Sequence, residues 1–167
     1  MSDGFDQQLL ATTASATSRD YKAFRTLYLM IGGTGMKIGM RLRKRVLAAH
    51  GVAQLPFQEF LWLDTDAGDL ASQTIDDTRE MARRLAMTSD DVVDLGLPFA
   101  RVQAMRSNPQ NFPWLAEWLD FELLDDLGHS ARAEAGAAQI RALGRLAFEA
   151  NFHSFRSRLL SKYERLL

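Results

Sequence analysis

Thr26-Leu27-Tyr28-Leu29-Met30-Ile31-Gly32-Gly33-Thr34-Gly35 decides how the chain is read. A short, nearly continuous apolar run stops at three glycines and a threonine, the pattern of a strand buried on both faces of a parallel sheet and ended by a tight turn. Directly after it, Gly35, Gly39, Leu42, Val46 and Ala49 recur at steps of three and four, and Lys37, Arg41, Arg43, Lys44 and Arg45 fill the remaining faces. That spacing predicts an amphipathic helix with a wet, basic side, stopped at His50-Gly51. A second apolar run, 57–63, ends in Asp64-Thr65-Asp66. Strand, glycine turn, helix, strand is a βαβ unit, so the expected fold is α/β, a Rossmann-like parallel sheet flanked by helices.

Upstream, residues 1–24 are rich in Ser, Thr and Ala and carry little apolar periodicity, so a flexible tail is expected there, with the domain over 25–167. Downstream, residues 64–94 are strongly acidic, and short helices are expected at 76–86, 98–106 and 113–127, punctuated by Pro98, Pro109 and Pro113. Trp114 and Trp118 suit a core or an interface anchor, and Met30, Met36 and Met40 suit the core. From Gln139 onward Phe148, Phe152, Phe155, Leu159, Tyr163 and Leu166 keep helical spacing to the end of the chain. A long C-terminal helix is expected, still running at Leu167, as in a piece of a longer protein.

Composition excludes several classes. The 167 residues, 47% hydrophobic, suffice for one core. With no cysteine there is no disulfide framework, Cys-ligated metal or thiol nucleophile. A net charge of −1 gives no reason to expect nucleic acid as a partner. No apolar run approaches the roughly 18–20 residues of a membrane span, and the N-terminus lacks the pattern of a signal peptide. A cytoplasmic location is therefore expected. His50, His129 and His153 are isolated in sequence, so no metal site and no catalytic residue is assigned.

Three segments carry candidate binding chemistry. Gly32, Gly33, Thr34 and Gly35 between strand and helix let phosphate oxygens approach backbone amides at a helix N-terminus, although glycine also serves any tight turn. A Walker A loop fails, because Lys37 lies between Met36 and Ile38. The dinucleotide fingerprint fits loosely: from Gly33 and Gly35 its third glycine would replace Ile38, and Asp64 lies about 30 residues on rather than the usual ~20. Asp64, Thr65 and Asp66 sit where a parallel sheet delivers them to its carboxyl edge, and could hold a ribose, a water or Mg²⁺, or simply form a turn. Glu134 to Arg145 is a small-residue loop opening a helix, from which Arg141 and Arg145 could reach a phosphate or pair with neighbours such as Glu149.

In order, these segments resemble the first half of the tubulin/FtsZ GTPase domain, and in particular divergent bacterial tubulin-like proteins. Residues 30–36 resemble the family's first phosphate loop, 63–67 its Asn-Thr-Asp-Ala segment, and 136–145 its Gly-Ala-Asn-Pro-x-x-Gly-Arg loop. The resemblance implies a GTP or GDP site, with Mg²⁺. In it Gly32, Gly33, Thr34 and Gly35 line the α and β phosphates, Asp64, Thr65 and Asp66 face the nucleotide or a metal-bound water, and Gly136, Ala137 and Ala138 cover the γ-phosphate. It also implies self-association or a larger protein partner, and a filament-forming whole. The family's most diagnostic glycine loop, its base-recognition residues and its hydrolysis loop would all lie beyond Leu167, so this chain alone is not expected to hydrolyse GTP. The 70 residues between Asp66 and Gly136 imply an insertion at about 70–132. Two other readings stand beside this one. One is an NAD(P)-binding Rossmann-like domain with Asp64 on the ribose. The other is a non-catalytic interaction or assembly module whose glycine loops are structural. On the nucleotide reading, Gly33→Val or Gly35→Val should abolish binding and leave the fold intact.

Overall fold

The computed structural model describes residues 23–66, 68, 70, 78–120 and 141–167. Strand β1 (Thr26–Ile31) leads directly into helix α1 (Gly32–His50), and β2 (Gln58–Asp64) follows. Helix α2 (Arg79–Leu85) and a 3-10 turn at Ser89–Asp91 precede the short strand β3 (Val92–Asp94). Helix α3 (Phe99–Ser107), 3-10 turns at Pro109–Asn111 and Pro113–Leu115, and helices α4 (Arg141–Ala150) and α5 (Phe152–Leu166) complete the described elements. The strands form one sheet in the order β1-β2-β3, parallel throughout, with Thr26 opposite Gln58 and Ile31 opposite Leu63. The α/β expectation is met.

All seven residues of β2 are buried. Its alternation divides the core into two layers. Phe60 and Trp62 pack with Met30, with Met36, Met40 and Leu47 of α1, and with Leu85 and Met87 beyond them. On the opposite face Leu61 and Leu63 pack with Val93 and Leu95, against Phe148 of α4 and Phe155 and Leu159 of α5. A third cluster ties α3 and the 3-10 turns to α4 through Leu97, Met105, Leu115, Leu119, Leu143, Leu146 and Ala147.

Helix α1 lies very close to β1, and two glycines make that possible. A Cβ at Gly39 would fall 1.7 Å from the Met30 sulfur, and one at Gly35 would fall 3.0 Å from the Met30 carbonyl carbon. Gly51 ends the helix, its amide donating to the Leu47 carbonyl at 2.9 Å.

Four local expectations change. Arg43 is buried, not part of a wet basic face. Its guanidinium donates to the Leu85 and Ala86 carbonyls and to Gln54 Oε1, and lies 5.1 Å from the centre of the Phe60 ring. Desolvation lowers its pKa from the usual value, partly offset by the Asp91 charge. The C-terminal helix is long but is interrupted at Asn151, whose Nδ2 donates to the carbonyls of Leu95, Gly96 and Ala147. In place of a helix from residue 113, the chain makes a 3-10 turn at Pro113–Leu115 and a hydrogen-bonded turn after it, while residues 121–127 lie outside the described residues. Within the 70–132 segment, Val92–Asp94 supplies the third strand of the sheet.

One buried polar cluster spans the α5 face. Lys162 of α5, 1% exposed, donates to Glu59 of β2 at 2.9 Å and to Asp91 in the turn before β3. Arg165 adds a contact to Glu59 at 3.3 Å. Asp91 also accepts from the amide and hydroxyl of Thr88, both at 2.8 Å, in a capping box. Burial pushes the Asp91 carboxyl up, but the hydrogen bonds from Lys162 and Thr88 and the Lys162 charge outweigh it and hold the group below the usual carboxylate range. A carboxyl depressed in the folded state stabilises above its unfolded pKa of about 3.9, and that contribution is lost as pH falls through the folded value. Denaturant unfolding should therefore lose stability below about pH 4, with the slope flattened in Asp91→Asn. Lys162→Ala, which strands two carboxylates, should cost about 3–5 kcal/mol at neutral pH.

Candidate functional site

Parallel strands deliver their carboxyl ends to one edge of the sheet, and the crevice outside that edge is where open α/β sheets bind ligands. Here that edge opens into a cleft of about 490 Å³, within the roughly 300–1,000 Å³ usual for small-molecule sites. Ile31 and Gly32 close it from the β1–α1 turn, and Leu63, Asp64 and Thr65 from the end of β2. Leu95 follows β3, and Gly144, Arg145 and Phe148 line the wall formed by α4.

Each polar member is held by local geometry. Gly32 has φ +67°, a left-handed conformation that an L side chain adopts only under strain. That conformation turns the chain from strand to helix without a linker. Ile31 occupies the N-cap and supplies no side-chain acceptor, and the first turn of α1 contains no acid. The turn therefore presents amides that the helix itself does not satisfy, beside the cleft, with the positive end of the helix dipole.

Asp64 is buried at the end of β2. Its Oδ1 accepts from the amides of Thr65 at 2.8 Å and Asp66 at 3.2 Å, while its carbonyl accepts from the Leu95 amide at 2.7 Å. The turn-forming role is thus real, and it fixes a carboxylate in the cleft wall. Asp66 accepts from the Gly68 amide at 2.7 Å in a second such turn. Opposite, Arg145 pairs with Glu149 at 2.8 Å, and its Cζ lies 4.1 Å from the centre of the Trp118 ring.

Of the residues singled out in sequence, Gly32, Asp64 and Thr65 line the cleft. Gly33, Thr34, Gly35 and Asp66 flank it without lining it, and Gly136, Ala137 and Ala138 lie outside the described residues. Arg145 pairs with Glu149, the second of its two alternatives, and is also among the cleft-lining residues. Leu95 and Phe148 went unselected, because nothing in an apolar residue's local sequence says that it borders a cavity. The Trp118–Arg145 stack also escaped notice: 27 positions separate the two, with no shared periodicity. Among the described residues no group of three His, Asp or Glu side chains is placed to hold a metal, and no helix is long and apolar enough to cross a membrane.

The fold and cleft define an α/β protein with a parallel sheet and a cleft at its carboxyl edge. A family model described as tubulin-like matches residues 27–167, and the chain belongs to that family. Neither a curated protein nor a solved structure matches it.

The geometry revises the glycine test. Because a Cβ at residue 35 meets the Met30 backbone, Gly35→Val should lower stability by about 1–3 kcal/mol through strand–helix repacking. It is not a clean probe of binding. Gly32→Ala meets no neighbour but must hold a left-handed backbone, and should cost about 1–2 kcal/mol. Thermal unfolding of the two variants checks both values.

Proposed function

We propose that this chain binds a guanine nucleotide, GTP or GDP with Mg²⁺, in the cleft at the carboxyl edge of the sheet. It would do so as the N-terminal part of a tubulin-like domain that works in a larger, self-associating protein. One observation carries the reading: the β1–α1 glycine turn, the Asp64-Thr65 corner and the Arg145 helix, three segments far apart in sequence, meet around a single cleft.

The roles follow from chemistry. The amides of Gly32, Gly33, Thr34 and Gly35, the first turn of α1, receive the α and β phosphates, where backbone and dipole both favour an anion. Arg145, paired with Glu149 through its Nε, adds guanidinium N–H donors from α4. Asp64, Thr65 and Asp66 face the sugar or a metal-bound water, and Gly136, Ala137 and Ala138 cover the terminal phosphate. Mg²⁺ supplies neutralisation of phosphate charge. With no protein cage among the described residues, it would enter on the phosphate oxygens, as it does where one or two carboxylates complete its shell. Hydrolysis belongs to the assembled protein, and this chain alone binds without turnover.

The test is a fluorescent guanine-nucleotide titration with Mg²⁺, with GTP, ATP and NADH as competitors. Selective displacement by GTP is the expected result, with Arg145→Ala weakening binding roughly tenfold, as loss of one charge-assisted contact should. Displacement by NADH in preference to GTP would favour a dinucleotide site with Asp64 on the ribose. Absence of binding by the unmutated chain would return the glycines to a purely structural role.

A further inference from the structure

We infer that Trp118 is a positioning residue for the nucleotide site, acting through Arg145. The inference rests on the nucleotide reading above and adds to it a residue from the tryptophan-bearing segment before α4.

An arginine on a helix surface is long and flexible, and an unheld one must be ordered at the moment it grips an anion. Ordering it beforehand converts that cost into affinity. Arg145 is held twice. Its Cζ sits 4.1 Å from the centre of the Trp118 ring, and its Nε donates to Glu149 Oε1 at 2.8 Å. The ring holds the guanidinium carbon from one side, and the carboxylate takes its Nε. Among the described residues the two terminal nitrogens have no hydrogen-bond partner, and the residue is one of those that line the cleft. A guanidinium held at two points with its terminal nitrogens unpaired suits two-point contact with a phosphate.

Trp118 can hold that group because it is itself anchored. It packs against the cluster formed by α3, the 3-10 turns and α4, in which Leu115, Leu143 and Leu146 are fully buried. Its amide donates to the Leu115 carbonyl at 3.1 Å. Trp118 does not line the cleft, and Arg145 is the cleft residue that its ring touches. The plain alternative is that Arg145 merely covers an otherwise exposed aromatic face.

The experiment is a GTP titration of the 167-residue chain with Mg²⁺, comparing the unmutated protein with Trp118→Leu, Trp118→Phe, Arg145→Ala and the Trp118→Leu/Arg145→Ala pair. Trp118→Leu keeps apolar contact with the cluster but removes the ring. It should weaken binding roughly threefold to tenfold, the scale of a lost cation–π contact. Trp118→Phe should restore most of that loss, and the double variant should bind no more weakly than Arg145→Ala alone. Arg145→Lys keeps the charge, loses the flat stacking group and leaves the core untouched. It should lose nearly as much as Arg145→Ala, and it decides the matter even if Trp118→Leu does not fold. Unchanged affinity in Trp118→Leu, full affinity in Arg145→Lys, or losses that simply add in the double variant would overturn the positioning role while leaving the nucleotide reading standing. Failure of the unmutated chain to bind GTP would instead overturn the nucleotide reading, and this inference with it.

Discussion

Lys162 reaches from α5 to carboxylates on two other elements, Glu59 in the middle strand and Asp91 ahead of β3. Glu59 lies in a strand whose every residue is buried, and a carboxylate in that position is costly unless a cation meets it. That requirement fixes how α5 lies across the sheet. It also brings β3 into register beside β2, because Asp91 takes the same ammonium. Once α5 is placed, Phe155 and Leu159 fall on Leu61 and Leu63. The preceding helix, joined to it at Asn151, is then carried to the opposite end of the sheet, where the cleft opens.

Sequence and structure agree where one physical signal dominates. The run 26–31 could only be buried, so β1 and β2 emerge within a residue of their expected bounds and α1 ends where expected, whereas Gly32 to Gly35, expected as a turn ahead of the helix, are the first turn of α1 itself. Helices near 79 and 99 are likewise close to expectation. Two elements were hidden for opposite reasons. β3 is three residues long and half acidic in its surroundings, too short for alternation to show. Arg43 sits among four other basic residues, and only the tertiary arrangement of the Leu85 and Ala86 carbonyls, Gln54 and the Phe60 ring makes its burial tolerable. The interruption at Asn151 is of the same kind. Helical periodicity continues through it, and the carbonyls that hold its side chain include two from residues more than fifty positions away.

The cleft was legible as an edge rather than as a set of residues. Topology alone directs Gly32 and Asp64 to one end of a parallel sheet. The third segment was legible only as a small-residue loop opening a helix, and Arg145 at its end does line the cleft. The glycines prove to have divided duties. Gly32 makes the turn at the cleft, whereas Gly35 and Gly39 let α1 approach Met30. A glycine-rich motif therefore reports two demands at once, and spacing by itself does not separate them.

The side chain of Asn151 has a cooperative consequence. By bonding the carbonyls of Leu95, Gly96 and Ala147 together, it makes the segment after β3 and the end of α4 a single unit of local stability. Both parts border the cleft, through Leu95 on one side and Arg145 and Phe148 on the other. Backbone opening after β3 and fraying at the end of α4 are thereby coupled, since either one breaks hydrogen bonds of the same side chain.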